Sequence, residues 1–409
     1  MKKLFFLFFV CQSWLLNAQI VGCTDPMAVN YNAQAIINDG SCTYLSTSIN
    51  PLTSVLLDSC LIETSGLTFW NNLIWTINDD TDTSIYGLDS LSGMVSEKIT
   101  LPNVTNHDWE EISQDSNYFY IGDFGNNASG NRTDLKILRI SKNSFLSGVQ
   151  QIDTIAFSYY TQTDFTNQGS NNTDFDCEAF IVGVDSIYLF TKQWVGLKTT
   201  VFSIPKTPGI YVAQPKDSLD VGGLITAATY LESKKIVVLT GYSKTLSPFF
   251  YLLYDFQDHN FFSGNKRKVD IGLSYHQIEG VTTTNGLSVY CSNEKFTYGS
   301  IINNPQKLHT FDLSSILGYY ICSDIGRENI KTRPLVHLFP NPTSNILSIF
   351  VSSEFLNHAY TIVNSRGRTV LSGKIFTENT IIDVNKLKTG CYFVKIEGTQ
   401  CAISKFIKR

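Results

Sequence analysis

A repeated pair of short strands, each pair marked near its start by an acidic or polar residue, dominates the middle of this chain. Residues 176–194 show the pattern most clearly, as an apolar strand opened by an acid, a two-residue turn at Val184-Asp185 and a second strand. The second strand is rich in β-branched and aromatic residues, which favour strands. Variants of the pair begin near Glu63, Glu110, Leu224 and Ile278. The pattern predicts an all-β protein built from repeated antiparallel units.

The spacing of these units predicts how they assemble. Acids recur at positions 63, 110, 178 and 279, and an acid-free unit at Thr226 divides the last interval. Units of about 40 to 50 residues that hold several short strands are typical of propeller blades. We therefore predict a five- or six-bladed β-propeller over residues 50–318. The Asn/Thr/Asp-rich segment 161–173 is either an insertion or a sixth blade, and residues 55–60 are expected to close the ring.

Composition limits the possible partners and supports this fold class. The 409 residues suit one large β domain with smaller accessory segments. The chain carries 31 basic and 36 acidic residues, a formal net charge of −5, with no run of basic residues. This argues against nucleic acid and anionic membranes as partners. An aromatic content of 13% with only 16% charged residues favours many packed strands over disorder.

The first 19 residues have the features of a secretory signal peptide. Two lysines at Lys2 and Lys3 precede an apolar run over 4–11, and a small residue follows at Ala18. The run is too short and too early to be a stable membrane span, so the mature chain is expected to have none. Residues 20–23 also fit a lipid-attachment motif loosely, which leaves lipidation of Cys23 as an alternative.

Residues 20–45 form a small module between two cysteines. Cys23 and Cys42 are 19 positions apart, and a disulfide closing a loop of that size would contribute about 3 kcal/mol in the chain-entropy model. The sequence Gly-Cys-Thr-Asp-Pro, followed by Asn-Tyr-Asn and by Asn-Asp-Gly-Ser-Cys, resembles a module of many exported Bacteroidetes proteins. Its hard oxygen atoms are of the kind that calcium takes, and the alternative is that they cap the turns of the loop. The candidate calcium ligands are Asp25, Asn30, Asn32, Asn38 and Asp39.

The pattern changes after a polar linker predicted at 319–334. Residues 335–409 open with Phe-Pro-Asn-Pro at 339–342, continue through Leu387, Gly390 and Tyr392, and end in a basic and apolar stretch at 404–409. From the residues alone this is a small antiparallel β-sandwich. It resembles the type A C-terminal sorting domain of the type IX secretion system. The resemblance implies that the secretion machinery is a partner, that the chain crosses the periplasm, and that it ends outside the cell or on the outer surface.

Strand direction predicts that most of the acids share one face of the propeller. A two-residue turn reverses the chain, so the residues before strand one and after strand two of a blade lie at the same end. We expect this acidic mouth to contain one prominent cation, Lys192. Carboxylates clustered in this way raise one another's pKa or recruit a cation. The predicted binding residues are Glu63, Asp79, Glu110, Glu111, Asp123, Glu178, Lys192, Glu279 and Glu294.

Two functions from different classes fit such a mouth. The first is binding of a glycan, peptide or protein partner. The second is a divalent-metal esterase or lactonase, because glutamate at the head of inner strands is similar to the gluconolactonase-type propellers, in which a metal at the mouth could polarise a carbonyl. A structural alternative is that each acid accepts backbone hydrogen bonds at a corner between blades. His107 and His276 are weaker candidates for a base, and the sequence leaves open whether the protein is an enzyme.

Overall fold

The computed structural model describes residues 19–148, 150–323, 336–351, 355–364, 367–396 and 402–409. Residues 1–18 of the predicted signal peptide lie outside this range, as do residues 324–334 of the predicted linker. Among the described residues, no helix is long and apolar enough to cross a bilayer.

The N-terminal module folds around its disulfide. Cys23 and Cys42 are bonded, with their Cα atoms 4.8 Å apart, which confirms the predicted pair and leaves no free thiol at Cys23 for a lipid. Two short parallel strands flank the loop, β1 (Val21–Gly22) and β2 (Ile37–Asn38). Two further short strands follow, β3 (Ser48–Ile49) and β4 (Thr53–Leu56), and then a 3-10 helix at Ser59–Leu61.

The central region consists of four-stranded antiparallel blades, as the repeated strand pairs predicted. Their inner two strands are almost fully buried, which explains their continuous apolar runs. We number the blades 1 to 5 in chain order. Blade 1 contains β5 (Thr64–Trp70), β6 (Leu73–Asn78), β7 (Ser84–Leu88) and β8 (Val95–Thr100). Blade 2 contains β9 (Trp109–Gln114), β10 (Tyr118–Asp123), β11 (Lys136–Ser141) and β12 (Ile152–Tyr159), with helix α1 (Lys142–Ser147).

The remaining blades repeat this arrangement. Blade 3 contains β13 (Asp176–Val182), β14 (Ser186–Lys192), β15 (Lys198–Pro205) and β16 (Gly209–Asp220). Blade 4 contains β17 (Leu224–Leu231), β18 (Ile236–Tyr242), β19 (Pro248–Tyr254) and β20 (Asn265–Ile271), with a 3-10 helix at Glu232–Lys234. Blade 5 contains β21 (Ile278–Thr283), β22 (Ser288–Asn293) and β25 (Lys307–Asp312), with a hairpin of β23 (Phe296–Tyr298) and β24 (Ile302–Asn304). Helix α2 (Ser314–Ser323) follows blade 5.

The ring is closed by a strand from the other end of the chain. Strand β4 pairs antiparallel with β25 as the outermost strand of blade 5, with Val55 opposite Leu308. The inner strands β5, β9, β13, β17 and β21 contact one another in cyclic order. A separate buried apolar cluster fills each contact between neighbouring blades, including one that joins blade 5 to blade 1 through Leu308 and Ile74. Residues 161–173 contain no strand, so this segment is a loop between blades 2 and 3.

Two parallel strand pairings strengthen the outer edge of the propeller. Strands β12 and β16 pair along Ile155–Tyr159 and Gly209–Ala213, which joins blades 2 and 3 into one sheet. Strand β3 adds to the outer edge of β20 in blade 4. In both places an outer strand that would otherwise expose backbone donors and acceptors gains a partner.

The C-terminal segment is a sandwich of two small sheets. One sheet contains β26 (Val336–Phe339), β27 (Ile346–Val351) and β30 (Asn379–Asp383). The other contains β28 (Ala359–Asn364), β29 (Thr369–Lys374), β31 (Gly390–Ile396) and β32 (Ala402–Lys408). The segment has its own apolar core, which includes Leu347, Val394 and Phe406. The free thiols of the described residues include Cys391, whereas Cys401 lies outside the described range.

Candidate functional site

A β-bulge at the start of each inner strand aims the acids into the propeller mouth. In blade 3 the pairing shifts between Cys177 and Ala179, so that Glu178 is the extra residue. The same shift makes Glu279 the extra residue of blade 5 and Glu110 that of blade 2. An extra residue in a bulge leaves the regular alternation and its side chain is redirected. Blade 4 has Thr226 at the corresponding place, which accounts for the acid-free unit.

Two of these bulged acids and one neighbouring aspartate form a compact, buried group at the mouth, which we call the inner cluster. It consists of Glu110, Asp176 and Glu178, and each offers one oxygen such that the three lie within 4.8 Å of one another. Asp176 is held rigidly, because it accepts hydrogen bonds from the backbone N–H of Asn126 and from the indole of Trp194, both at 2.7 Å. The three side chains are at most 4% exposed.

Lys192 is the cation of this site. Its ammonium donates to Glu178 Oε2 and, at 3.2 Å, to the hydroxyl of Tyr242, and it lies 4.8 Å from the centre of the Trp194 ring. Tyr242 in turn donates to Glu279 at 3.1 Å. Burial alone would lower the pKa of Lys192, but the neighbouring carboxylates hold it well above its usual range. Lys192 is therefore charged and tethers the mouths of blades 3, 4 and 5 to one another.

Outside the inner cluster lies a partly exposed rim of four carboxyl groups: Glu63, Asp79, Asp108 and Glu294. Backbone pairing confirms the shared-face argument, since Asp79 N–H donates to Glu63 O at 3.0 Å and Glu294 N–H donates to Gln277 O at 3.2 Å. Burial and the charge of Glu63 raise the pKa of Asp79 to about 7. Burial and the charge of Asp176 raise that of Asp108 to about 6.

Desolvation and mutual repulsion act on the whole mouth. Burial, followed by the charges of Glu178 and Asp108, raises the pKa of Glu110 well above its usual value. Burial and Glu294 raise the pKa of Glu279 to about 8, although Lys192 acts in the opposite direction. Carboxyl groups in this state either keep a proton near neutral pH or gain stability from an incoming cation.

Glu111 lies on the propeller axis and has a different environment from its neighbour. Its carboxyl accepts from the backbone N–H of Ala228 at 2.9 Å and of Ile112 at 3.0 Å, so it bridges the inner strands of blades 2 and 4. It is fully buried, and burial raises its pKa well above the usual range. Gly66, with a φ of +65°, packs so closely that a Cβ there would lie 2.4 Å from Glu111 Oε1. These contacts match the structural alternative, in which an acid accepts backbone hydrogen bonds between blades.

Asp123 is also placed away from the inner cluster. Its carboxylate is buried between Arg132 at 2.8 Å and Lys136 at 3.0 Å. His107 pairs with Asp134 at 3.1 Å, and both side chains are half exposed. His276 Nδ1 lies 2.9 Å from the carbonyl of Ser274. The contacts of all three residues are with groups outside the inner cluster.

The candidate calcium ligands of the N-terminal module divide into two groups. Asn30, Asn32 and Asp39 accept hydrogen bonds from backbone N–H groups of their own loop. Asp25 and Asn38 also accept from backbone N–H groups of the loop, and in addition they contact blade 4: Tyr254 donates to Asp25 at 2.6 Å, and Asn38 donates to Asp255 at 3.0 Å. Each of the five side chains thus has a hydrogen-bond partner within the protein, and calcium binding here remains a prediction.

An open cleft of about 590 Å³ lies on the mouth side of blade 5. It is lined by the loop before β21 and by the β23–β24 hairpin, which follows Glu294 directly. Tyr275, Tyr298 and Ile301 of this cleft are 50%, 66% and 83% exposed. The cleft therefore offers an apolar surface on the same face as the acidic rim.

Asp108, Asp176, Trp194 and Tyr242 belong to the site but were not among the predicted binding residues. The rule that placed Glu63 and Glu294 at the mouth also applies to Asp108 and Trp194, which precede strand one or follow strand two of their blades, and to Asp176, the first residue of β13. Tyr242 ends strand two of blade 4 and had no comparable signal, because an aromatic residue there is equally suited to packing.

Fold and site define an exported β-propeller with an acidic mouth and a C-terminal delivery domain. Residues 337–409 match the secretion system C-terminal sorting domain, so the C-terminal sandwich belongs to that family. This confirms the resemblance seen in the sequence. The domain engages the type IX secretion system and directs the chain to the cell surface or the extracellular space.

Comparison with solved structures finds distant similarities. PorZ, described as an essential bacterial surface component of the type-IX secretion system of Porphyromonas gingivalis, is 13% identical with a TM-score of 0.33; the match covers 85% of this chain and 45% of PorZ. An exo-beta-1,3-galactanase from Phanerochaete chrysosporium is 9% identical with a TM-score of 0.41, covering 89% and 99%. YCF48 bound to D1 peptide is 11% identical with a TM-score of 0.31, covering 89% and 97%. The chain thus spans less than half the length of PorZ, and these similarities carry no information on ligand or activity. No curated protein matches the chain.

Proposed function

We propose that this protein is a surface-delivered binding protein whose acidic mouth takes a basic segment of a peptide or protein partner. The observation that carries the proposal is the excess of carboxyl groups at the mouth, where eight acids lie near Lys192 and Arg132. A lysine or arginine side chain arriving from solvent would relieve repulsion among the rim carboxylates. The eight are Glu63, Asp79, Asp108, Glu110, Asp176, Glu178, Glu279 and Glu294.

The apolar cleft of blade 5 supports a peptide over a glycan as the ligand. Its exposed Tyr275, Tyr298 and Ile301 would accommodate an apolar side chain next to the basic one, and aromatic residues are enriched at protein interfaces. The esterase or lactonase alternative has no observation of its own within the described residues beyond the carboxylates themselves, and we do not propose it.

Selection of peptides from a random display library on the purified protein would test this function. We expect enrichment of sequences that place a lysine or arginine beside an apolar residue, with affinity that falls as salt rises. The double variant Asp79→Asn, Glu294→Gln should weaken a selected peptide at least tenfold. The matched control is Asp89→Asn, which removes a carboxylate at the end of β7 on the opposite face. Enrichment of neutral or acidic peptides, or equal loss in the control, would contradict the proposal.

A further inference from the structure

The inner cluster has a property that the rim lacks: one of its side chains is almost completely buried, yet its carboxylate accepts no hydrogen bond from the described residues. Glu110 is 4% exposed, and no side chain or backbone donor of the described residues hydrogen-bonds its carboxylate. The charged groups that act on it most strongly are other carboxyl groups, Glu178 first and Asp108 second. A buried acid that accepts no hydrogen bond is costly unless something else satisfies it.

The backbone around Glu110 is shaped to bring this carboxylate close. A Cβ at Gly125 would lie 2.2 Å from Glu110 Oε1 and 2.3 Å from Asp108 Oδ2, so only glycine leaves room for both carboxyl groups. The bulge in β9 makes Glu110 the extra residue and turns it inward. Gly125 thus lets the Glu110 carboxylate approach Asp108, and the same carboxylate lies within 4.8 Å of oxygens of Asp176 and Glu178.

We propose that Glu110, Asp176 and Glu178 form a binding site for a single divalent cation of the calcium class. Calcium is held by oxygen ligands at 2.3–2.6 Å, and two oxygens that share one such ion can be no more than about 5 Å apart. The three carboxylate oxygens satisfy this limit, since all lie within 4.8 Å of one another.

Charge and donor type both favour this class of ion. When all three carboxylates are ionised, the ammonium of Lys192 on Glu178 Oε2 offsets one negative charge and leaves two for the ion. The donors are hard carboxylate oxygens, with no histidine or cysteine among them, which favours calcium over zinc. Asp176 is already oriented by Trp194 and Asn126, so the site is partly organised before the ion arrives.

This cation site does not depend on the peptide-binding proposal. An ion held by the inner cluster leaves the four rim carboxylates free for a basic partner. Loss of ion binding and loss of peptide binding are therefore separate results, since the first is measured without any peptide and the second with rim variants.

Terbium luminescence provides a direct test because Trp194 donates to a proposed ligand. Tb³⁺ replaces calcium in oxygen sites, and a tryptophan close to the ion transfers excitation energy to it. Titration of the intact mature protein with Tb³⁺ should give saturable emission at a stoichiometry of one, displaced by excess Ca²⁺. Glu110→Gln should weaken binding at least tenfold, whereas Asp39→Asn in the N-terminal module should leave it unchanged.

Thermal melting checks the same site without relying on energy transfer. Saturating Ca²⁺ should raise the melting temperature of the intact protein by several degrees over EDTA. Trp194→Phe should retain a calcium-dependent rise while losing most of the emission. Glu110→Gln in EDTA should melt close to the unmodified protein, because the amide has nearly the size of the carboxyl group and no hydrogen bond to the carboxylate is lost, and it should lose the rise. The proposal is overturned if calcium has no effect, or if Asp39→Asn abolishes emission while Glu110→Gln does not.

Discussion

At the scale of single residues, adjacent glutamates have opposite roles. Glu110 is the bulged residue and faces the mouth, whereas Glu111 accepts from backbone N–H groups and bridges the inner strands of blades 2 and 4. The sequence predicted acids at this face because strand direction alone decides it. It could not separate the two neighbours, since nothing in the local sequence marks which residue of a strand will be the extra one in a bulge.

Removal of the Glu111 side chain should destabilise the propeller. In Glu111→Ala, the N–H groups of Ala228 and Ile112 lose their buried acceptor and a cavity is left on the axis. We expect a loss of about 2–4 kcal/mol in the free energy of unfolding, measured by urea denaturation. Glu97→Ala on the exposed strand β8 is the control and should stay within about 0.5 kcal/mol. Equal stability of the two variants would show that Glu111 does not brace the axis.

The raised pKa of Asp79 predicts that the folded protein is less stable at higher pH. The folded protein holds this proton up to about pH 7, whereas an unfolded aspartate loses it near 3.9. The contribution of Asp79 to the free energy of unfolding is therefore complete below about pH 4 and is lost as pH rises through 7. With EDTA present, Asp79→Asn should melt a few degrees higher than the unmodified protein at pH 8 and show a smaller change between pH 5 and 8. A variant of its exposed neighbour, Asp80→Asn, should keep the original pH dependence; unchanged behaviour in Asp79→Asn would rule out this carboxyl as the cause.

At the scale of elements, the sequence located the inner strands better than the outer ones. The predicted third strands of the blades are all present, for example at Lys136–Ser141 and Lys307–Asp312. The fourth strands were not predicted, because strands such as Gly209–Asp220 are mostly exposed and lack a continuous apolar run. The closing strand lies at Thr53–Leu56, two residues before the predicted start at Val55, since an edge strand with one partner has little pattern to fix its bounds.

His309, which contacts the closing strand β4, should also make the stability of the protein depend on pH, but in the opposite direction to Asp79. It lies between Ser54 Oγ and Asn293 Oδ1, each at 2.8 Å, and burial lowers its pKa to about 3. An unfolded histidine binds a proton near pH 6.5, so stability from His309 is full above that pH and is lost as pH falls toward 3.

The change in the free energy of unfolding between pH 7 and pH 5, measured by denaturation, should therefore differ between the unmodified protein and His309→Gln. We expect the contribution of His309 to fall by up to about 2 kcal/mol over this interval, and the variant should lack it. His107→Gln, a change at a half-exposed histidine, should leave the pH dependence intact. A His309→Gln protein with the original pH dependence would show that β4 is not held by a neutral histidine.

At the scale of the whole molecule, the acidic mouth and the sorting domain belong to parts with separate apolar cores, which meet where helix α2 contacts β32. The apolar core of the C-terminal sandwich contains only residues of that segment, and the interblade clusters contain none of them. The mouth residues likewise all come from the blades and their loops. Each part therefore has an apolar core of its own, which is a property of domains that fold as units.

Removal of residues 336–409 should therefore abolish export without unfolding the propeller. In the native bacterium we expect the truncated chain to accumulate in the periplasm in a trypsin-resistant form, because it retains all five interblade clusters and lacks the sorting domain. Fractionation with immunoblotting would measure this, and intact Glu110→Gln is the control that should still reach the cell surface or the medium. Truncated protein outside the cell would mean that a signal within the propeller suffices for export, whereas a trypsin-sensitive periplasmic product would mean that the two parts depend on each other for folding.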